Sequence, residues 1–381
     1  MRASNLYIGL MSGTSMDGID VALVDFSNHG CKLLSSLLHP IDGEIKKMLG
    51  SLSAPKSNSN QHRIELMAKL DVIMGQFFAD SVNELLKQNN LTKEQITATG
   101  CHGQTIRHRP DYDHPFTLQI GDPNIIAEKT GISVVADFRR ADIAAGGQGA
   151  PLAPAFHNAV LRSENEDRVI LNLGGIANIT FLPKDKNIPV IGFDTGPANT
   201  LLDAWYIKHH RKPRLESCSD FDQNSLFAQQ GAIHQPLLEQ LLKDPYLQLE
   251  PPKSTGREYF SLDWLEEHIN SLSETITRQD VQRTLVEFTA TSIATSIKKL
   301  AFEDIKIYAC GGGMHNHFLL DLLSEKLLSK VQTTNELGVD GDYLEAMTFA
   351  WLAKQRIENL PGNLPSVTGA NKLKVLGSVY L

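Results

Sequence analysis

Short continuous apolar runs alternate along this chain with longer stretches in which apolar residues recur every three or four positions. Leu6 to Leu10 and Val21 to Phe26 have the length of strands and are separated by the small, polar stretch Met11-Ser12-Gly13-Thr14-Ser15-Met16-Asp17-Gly18-Ile19-Asp20. This pattern predicts a β-hairpin with a long Gly/Ser/Thr tip. It recurs downstream, where Val169 to Leu173 and Ile179 to Leu182 flank Gly174-Gly175-Ile176-Ala177-Asn178. A third run, Val190 to Phe193, then leads into Asp194-Thr195-Gly196-Pro197. A Gly-rich hairpin opening each half predicts a duplicated architecture.

Helical periodicity fills the intervals. Ile64, Met67, Leu70, Met74, Phe77, Val82 and Leu85 lie at helical spacing between Gln61 and Gln88, and Ile96 to Gly100 follows as a strand. In the second half, Thr277-Arg278-Gln279-Asp280 has the form of a capping box ahead of a helix with an apolar face at Val281, Leu285, Phe288, Ile293 and Ile297. Ile305 to Ala309 reads as a strand ending in Cys310-Gly311-Gly312-Gly313, followed by a helix from about Asn316 to Leu328. Pro361-Gly362-Asn363-Leu364-Pro365 reads as a linker, and Val375 to Tyr380 as a terminal strand returning to the first domain. Strands alternating with helices in this way predict α/β domains with helices packed on sheets.

With 381 residues, 41% hydrophobic and 21% charged, the chain has length for two domains of ordinary size and composition for a sizeable core. A formal net charge of -8 argues against a general nucleic-acid or membrane-surface binder, since no basic excess exists to neutralise phosphates. Cys31, Cys101, Cys218 and Cys310 form no C-x-x-C pair; they read as buried thiols of a reducing compartment and offer no zinc framework. The run Leu6 to Met11 is too short for a signal-peptide core or a membrane span, so a cytoplasmic location is expected.

No Gly-Lys dipeptide, His-Arg-Asp catalytic loop or G-x-G-x-x-G turn occurs. Phosphate binding would therefore fall to backbone amides of the Gly-rich tips, which form anion-binding nests without a Lys. Taken singly, each tip is equally well a plain turn. Paired hairpins and a triple Gly between strand and helix together point to a nucleotide.

This layout is that of the superfamily of sugar kinases, actin and the large chaperone ATPases. Within it, Ile8 to Asp20 closely resembles the opening of the anhydro-N-acetylmuramic acid kinases. The likeness continues through Gly100-Cys101-His102-Gly103-Gln104-Thr105, Leu171 to Asn178, Phe193-Asp194-Thr195-Gly196-Pro197 and Gly311-Gly312-Gly313, spanning nearly the whole chain. One departure is Ala198, where the family often has Gly after the Pro. The resemblance implies two related actin-like (ribonuclease H-like) α/β domains with a nucleotide cleft between them. The first would take residues 1–140 with 365–381, the second residues 141–364. It also implies ATP and Mg2+ as cofactors, with no metal ligands specified. The implied reaction phosphorylates the sugar at O6 while water attacks C1 and opens the 1,6-anhydro bridge.

The nucleotide would be held by Gly9, Ser12, Gly13, Thr14, Ser15, Met16, Asp17 and Gly18, by Asn172, Gly174, Gly175 and Asn178, and by Gly311, Gly312 and Gly313. Asp194, expected at a strand end, is the candidate base for water; the alternative is a turn or cap residue. Glu345 is a second catalytic carboxylate, with Asp342-Tyr343-Leu344-Glu345 fitting a capping box equally well. Thr14, Asp17, His102, Gln104, Asp137, Arg139 and Arg140 are candidates for the sugar, an Arg fork suiting its lactyl carboxylate. The alternatives are a structural His and surface ion pairs. Gly146 to Pro151 reads as a hinge or ligand-facing loop, and Ser254-Thr255-Gly256-Arg257-Glu258 carries no assignable role. A phosphohydrolase of the same fold and a nucleotide-gated regulator remain competing readings. Whether the protein is a homodimer stays open.

Overall fold

The computed structural model describes residues 5–13, 16, 18–27, 30–53, 63–210 and 220–381. The chain divides into two compact units, Met1–Leu161 with Gly338–Leu381, and Arg162–Leu337. These breaks differ from the expected 140/141 and 364/365. The reason is the helix Leu344–Ile357, which follows the second unit in sequence but packs on the first unit's sheet.

In the first unit, strands β1 (Leu6–Ser12), β2 (Gly18–Asp25) and β3 (Lys32–Pro40) form an antiparallel meander. Strand β4 (Ala98–Arg109) runs parallel to β1, carries β5 (Phe116–Ile120) antiparallel on its far half, and is followed by β6 (Val134–Ala136), parallel to β4. In the second unit, β7 (Arg168–Leu173), β8 (Ile176–Leu182) and β9 (Ile191–Pro197) repeat the meander. There β10 (Lys306–Cys310) lies parallel to β7, and β11 (Val331–Thr333) parallel to β10. Finally β12 (Ser378–Tyr380) pairs antiparallel with β6, the expected return of the terminal strand to the first domain. Among the described residues the strand orders are β3-β2-β1-β4-β6-β12 and β9-β8-β7-β10-β11. The shared five-strand order is the expected duplication, two related actin-like α/β units.

Period-2 alternation places the cores. Ile8 and Leu10 of β1, with Val21 and Leu23 of β2, pack against Leu70, Met74, Phe78 and Val82 of the helix Arg63–Gln88. The apolar stripe of that helix starts a turn later than predicted, because Ile64 is 79% exposed. In the second unit, Val281, Leu285, Phe288, Ile293 and Ile297 of the helix Arg278–Lys298 are buried, as predicted, in one core with residues of β7, β8 and β9. Thr277 Oγ1 accepts from the Asp280 N–H at 3.1 Å, which starts the helix where the capping box placed it.

Several sequence expectations change. Strand β4 runs on to Arg109, so His102 and Gln104 lie inside a strand rather than after one. Strand β9 continues through Asp194 to Pro197, so Asp194 sits within a strand, beside a register shift between Ala177 and Asn178. The 361–365 stretch belongs to the first unit and is packed there: buried Asn363 donates to Asp142 Oδ1 at 2.8 Å. The Gly146 to Pro151 loop is likewise fastened within that unit, the Gly149 N–H donating to Asp142 Oδ2 at 2.8 Å. Cys101 and Cys310 are buried as expected and Cys31 is half-buried, while Cys218 lies outside the described residues. Among the described residues no helix is long and apolar enough to cross a membrane.

The opposite face of the first sheet is bare where the helix Leu344–Ile357 crosses it. A β-carbon on Gly9 would strike the Ala346 carbonyl, and one on Gly100 the Phe349 carbonyl. Backbone cannot yield as a side-chain tip can. Gly9→Ala and Gly100→Ala are therefore expected to destabilise the first unit by at least the usual overpacking cost of about 1–3 kcal/mol. Gly174→Ala, whose added carbon meets nothing nearer than 3.5 Å, should leave the melting temperature nearly unchanged. Thermal unfolding of the three variants checks this contrast.

Candidate active site

At the end of β1, the fully buried Gln104 accepts a hydrogen bond from Ser12 Oγ at 2.7 Å and donates through Nε2 to the Gly13 carbonyl at 3.3 Å. Ser12 and Gln104 thus hold the root of the tip from below. Met16 turns back at φ 57° with its side chain in the apolar core, and a β-carbon on Gly18 would press on Leu38 Cδ1 at 2.5 Å. Gly9 is covered by the helix Leu344–Ile357. Among the nucleotide candidates of this hairpin, Gly9, Ser12, Met16 and Gly18 have side chains or bare Cα positions that face inward, which leaves their main-chain groups as what they could offer a ligand. Gly13 remains partly accessible. Thr14, Ser15 and Asp17 lie outside the described residues.

The same unit collects charges around Arg139. Its Nε and Nη2 both donate to His102 Nε2, at 3.1 and 3.0 Å, and its Nη1 donates to the Gly149 carbonyl at 2.9 Å. His102 is buried, and desolvation together with the adjacent guanidinium pushes its pKa well below the ordinary value. It is neutral, and because Nε2 accepts, its proton sits on Nδ1. Desolvation lowers Arg139 to about 10, against the opposing pull of Glu345 and Asp142, so it stays charged at neutral pH. Guanidinium has five N–H donors, and three are engaged here.

Glu345 lies in the first turn of its helix and is solvent-accessible. Tyr343 precedes the helix without a side-chain cap, which removes the expected capping box. The protein around Glu345 raises its carboxyl above the ordinary range, with Arg139 pulling the other way. Asp20, half-buried on β2, is raised to about 7 by burial and by the charges of Glu345 and Asp342. Asp137 and Arg140 form an ion pair at 3.2 Å, with Arg140 56% exposed.

In the second unit, the carbonyls of Gly174 and Gly175 accept from the N–H groups of Asn199, Ala198 and Thr200 at 2.9–3.1 Å, tying the hairpin tip to the helix Asn199–His210. Asn172 and Asn178 face one another across β7 and β8. Gly311 has φ 77° and would carry a β-carbon into Asn172 Oδ1, so the triple Gly turns tightly beside this tip. Gly312 is exposed, with nothing within 4 Å of an added β-carbon. It borders a cavity of about 620 Å³ whose wall includes Phe221, Asn224, Gly313 and Asn316. That volume suits a nucleoside-sized ligand.

Asp194 is gripped by a loop. Its Oδ2 accepts from the Thr255 N–H at 2.9 Å, its own N–H donates to the Lys253 carbonyl at 3.2 Å, and its carbonyl accepts from Tyr246 Oη at 2.8 Å. Desolvation raises its carboxyl to about 6, while the Thr255 N–H and Lys253 hold it down. Lys253 Nζ lies 4.9 Å from the centre of the Tyr246 ring. A carboxylate poised near neutrality is the form a general base takes.

The structure thus brings His102 and Arg139 together and sets Glu345 within electrostatic reach of Arg139. It adds Asp20, Lys253 and Thr255, none of which was among the sequence candidates. Asp20 sits in an ordinary strand pattern, and Thr255 acts through its main chain, so only the unexplained Ser254 to Glu258 motif pointed toward the latter. The family model for anhydro-N-acetylmuramic acid kinase matches residues 5–381. A kinase of that name from Coxiella burnetii (strain Dugway 5J108-111) is 51% identical over 98% of this chain and 97% of its own. The Pasteurella multocida (strain Pm70) protein of the same name is 47% identical over 100% and 97%. Among solved structures, an activator of 2-hydroxyisocaproyl-CoA dehydratase from Clostridium difficile aligns with TM-score 0.45 at 11% identity, over 93% of this chain and 96% of that one. A ROK family glucokinase from Streptomyces griseus aligns with TM-score 0.37 at 14% identity, over 92% and 99%. Matched along nearly its whole length by the family model and by relatives about half identical to it, the chain belongs to the anhydro-N-acetylmuramic acid kinase family.

Proposed function

We propose that this protein converts 1,6-anhydro-N-acetylmuramic acid, water and ATP to N-acetylmuramic acid 6-phosphate and ADP, in the recycling of cell-wall sugar. Water oxygen bonds to C1 as the C1–O6 bond breaks; O6 takes the γ-phosphoryl group, and ADP leaves. One water proton stays on the new C1 hydroxyl, and Asp194 takes the other. The observation that carries this reading is the Asp194 carboxyl, which stands on strand β9 with Oδ2 accepting from the Thr255 N–H and is raised to about 6 by burial.

The other candidates divide by chemistry. Arg139 suits the lactyl carboxylate better than Arg140, which is spent on Asp137 at the surface. Arg139 retains one N–H on each terminal nitrogen beyond its bonds to His102 and Gly149, the donors of a two-point fork. Gly13, Gly174, Gly175 and Gly312 are positions where backbone can approach phosphates, and the cavity beside Gly312 would take the nucleoside. No cluster of three metal-ligating side chains occurs among the described residues. Mg2+ is commonly held by substrate phosphates and water with only one or two protein carboxylates. Asp20, in a field made negative by Glu345 and Asp342, is the carboxylate that would help hold it. When bound, the ion would neutralise charge on the phosphates. Phosphoryl transfer then asks the chain for positioning, and water attack asks it for a base.

Asp194→Asn keeps shape and hydrogen-bonding reach but cannot accept the proton, so kcat should fall by about 10²- to 10⁴-fold with ATP and sugar binding largely intact. Steady-state rates and calorimetric binding on one preparation, with the melting temperature as folding control, measure this. Retention of more than about a tenth of the activity would contradict the role and turn attention to Glu345.

The pH dependence follows in sign. The base must be ionised, so kcat/KM should rise with pH through about 6. Lys253→Met removes a cation that favours the ionised form, and the rising limb should move to higher pH. An unmoved limb would show that another group titrates.

A further inference from the structure

Asp194 has two carboxylate oxygens, and the segment from Asp244 to Tyr259 treats them differently. Oδ2 is bonded to the Thr255 N–H at 2.9 Å, and among the described residues no hydrogen bond falls on Oδ1. The peptide groups on either side of the Asp194 Cα are also fixed by this segment, through the Lys253 carbonyl and Tyr246 Oη. We propose that this segment is a positioning clamp for the base: the Thr255 main-chain N–H occupies Oδ2, so that Oδ1 is the atom that takes the proton from water, and Tyr246 fixes the backbone from which the carboxylate projects. The inference rests on the reading of Asp194 as general base.

The clamp is itself built on a buried anchor. Asp244 is 6% exposed; its Oδ1 accepts from the Tyr246 N–H at 2.9 Å and from Tyr259 Oη at 3.0 Å, and its Oδ2 accepts from Trp264 Nε1 at 3.1 Å. Three donors on a desolvated carboxylate make a strong, directional node, since hydrogen bonds to an ionised acceptor are about twice as strong as neutral ones. Both ends of the segment are thereby tied to one residue, and Thr255 lies between them. Rings complete the frame: Tyr246 meets Phe260 edge-on at 5.6 Å, and Phe260 meets Trp264 at 5.2 Å.

The charged groups around the base are few. Lys253 faces Asp194 from the clamp, with Lys299 and Glu250 behind it, and Tyr246 is raised far above its ordinary value, so it remains a donor. From the helix Arg278–Lys298, Ser292 lies near Gly196, and strand β8 contributes Asn178 opposite Asp194. None of these donates to the carboxylate. The Thr255 N–H is thus the contact whose loss should change the basicity of Asp194 without altering charge.

Two experiments test the proposal. In the folded wild type, the Thr255 amide resonance should move with pH with the same midpoint as the rising limb of kcat/KM, and should stop titrating in Asp194→Asn. A Thr255 amide that is invariant across that limb would overturn the assignment, and this measurement carries no folding risk. Thr255→Pro, which lacks the N–H, should move the limb upward by about one pH unit, because a hydrogen bond to the charged form favours it. Thr255→Ala, which keeps the N–H, should leave the limb in place. An unmoved limb in a folded Thr255→Pro protein, or equal shifts in both variants, would refute the clamp. If Asp194→Asn remains active, the base reading itself fails; if it is inactive while the Thr255 amide is silent, only the clamp does.

Discussion

The first unit depends on the contact of backbone with backbone between the helix Leu344–Ile357 and the sheet strands beneath it. Two strands must be bare at the crossing for the helix to lie that close, and Gly9 and Gly100, paired with one another in β1 and β4, supply the gap. Depth of seating decides where the first turn of the helix ends up. Glu345 is in that turn, within the field of Arg139 and Asp20, so a methyl group added under the helix would disturb charges it never touches. Packing and electrostatics are one problem here.

The second unit solves the matching problem by other means. Its carboxylate lies within a strand, where side-chain direction is set by the pleat, and a loop reaches over to fix the remaining freedom. Desolvation and the donated N–H oppose one another on Asp194, and their balance sets its carboxyl at about 6, above the ordinary carboxylate range. Neither influence alone would serve a base: burial by itself would keep the proton on, and strong hydrogen bonding by itself would make the carboxylate too weak to take one.

Much of this was legible in the residues. The two hairpins, their Gly-rich tips, the Thr277 cap and the apolar face of the helix behind it all obey local periodicity, and local periodicity survives folding. Strand β4 was cut short in the reading because His102 and Gln104 are polar yet buried, and a polar residue in a strand pattern reads as its end. The compact units break at other positions than the expected boundaries because no nearby residue announces that a helix will cross back to an earlier sheet; only the glycines it covers, hundreds of positions upstream, carry the mark. Thr255 was opaque for a different reason. Its contribution is a main-chain N–H, which every residue but proline possesses, so its identity says nothing about its task.

The pairing of His102 with Arg139 has a consequence for how the enzyme meets acid. An imidazole that accepts two N–H groups on Nε2 cannot be protonated there without expelling the guanidinium, and its buried surroundings resist the charge in any case. Histidine here is an electrically silent spacer, and Arg139 keeps its charge and its orientation through mild acidification. On the proposed assignment of Arg139 to the sugar's carboxylate and of Asp194 to the base, acid would remove the proton acceptor while leaving the anion's partner charged, so that turnover and sugar binding would part company as the pH falls.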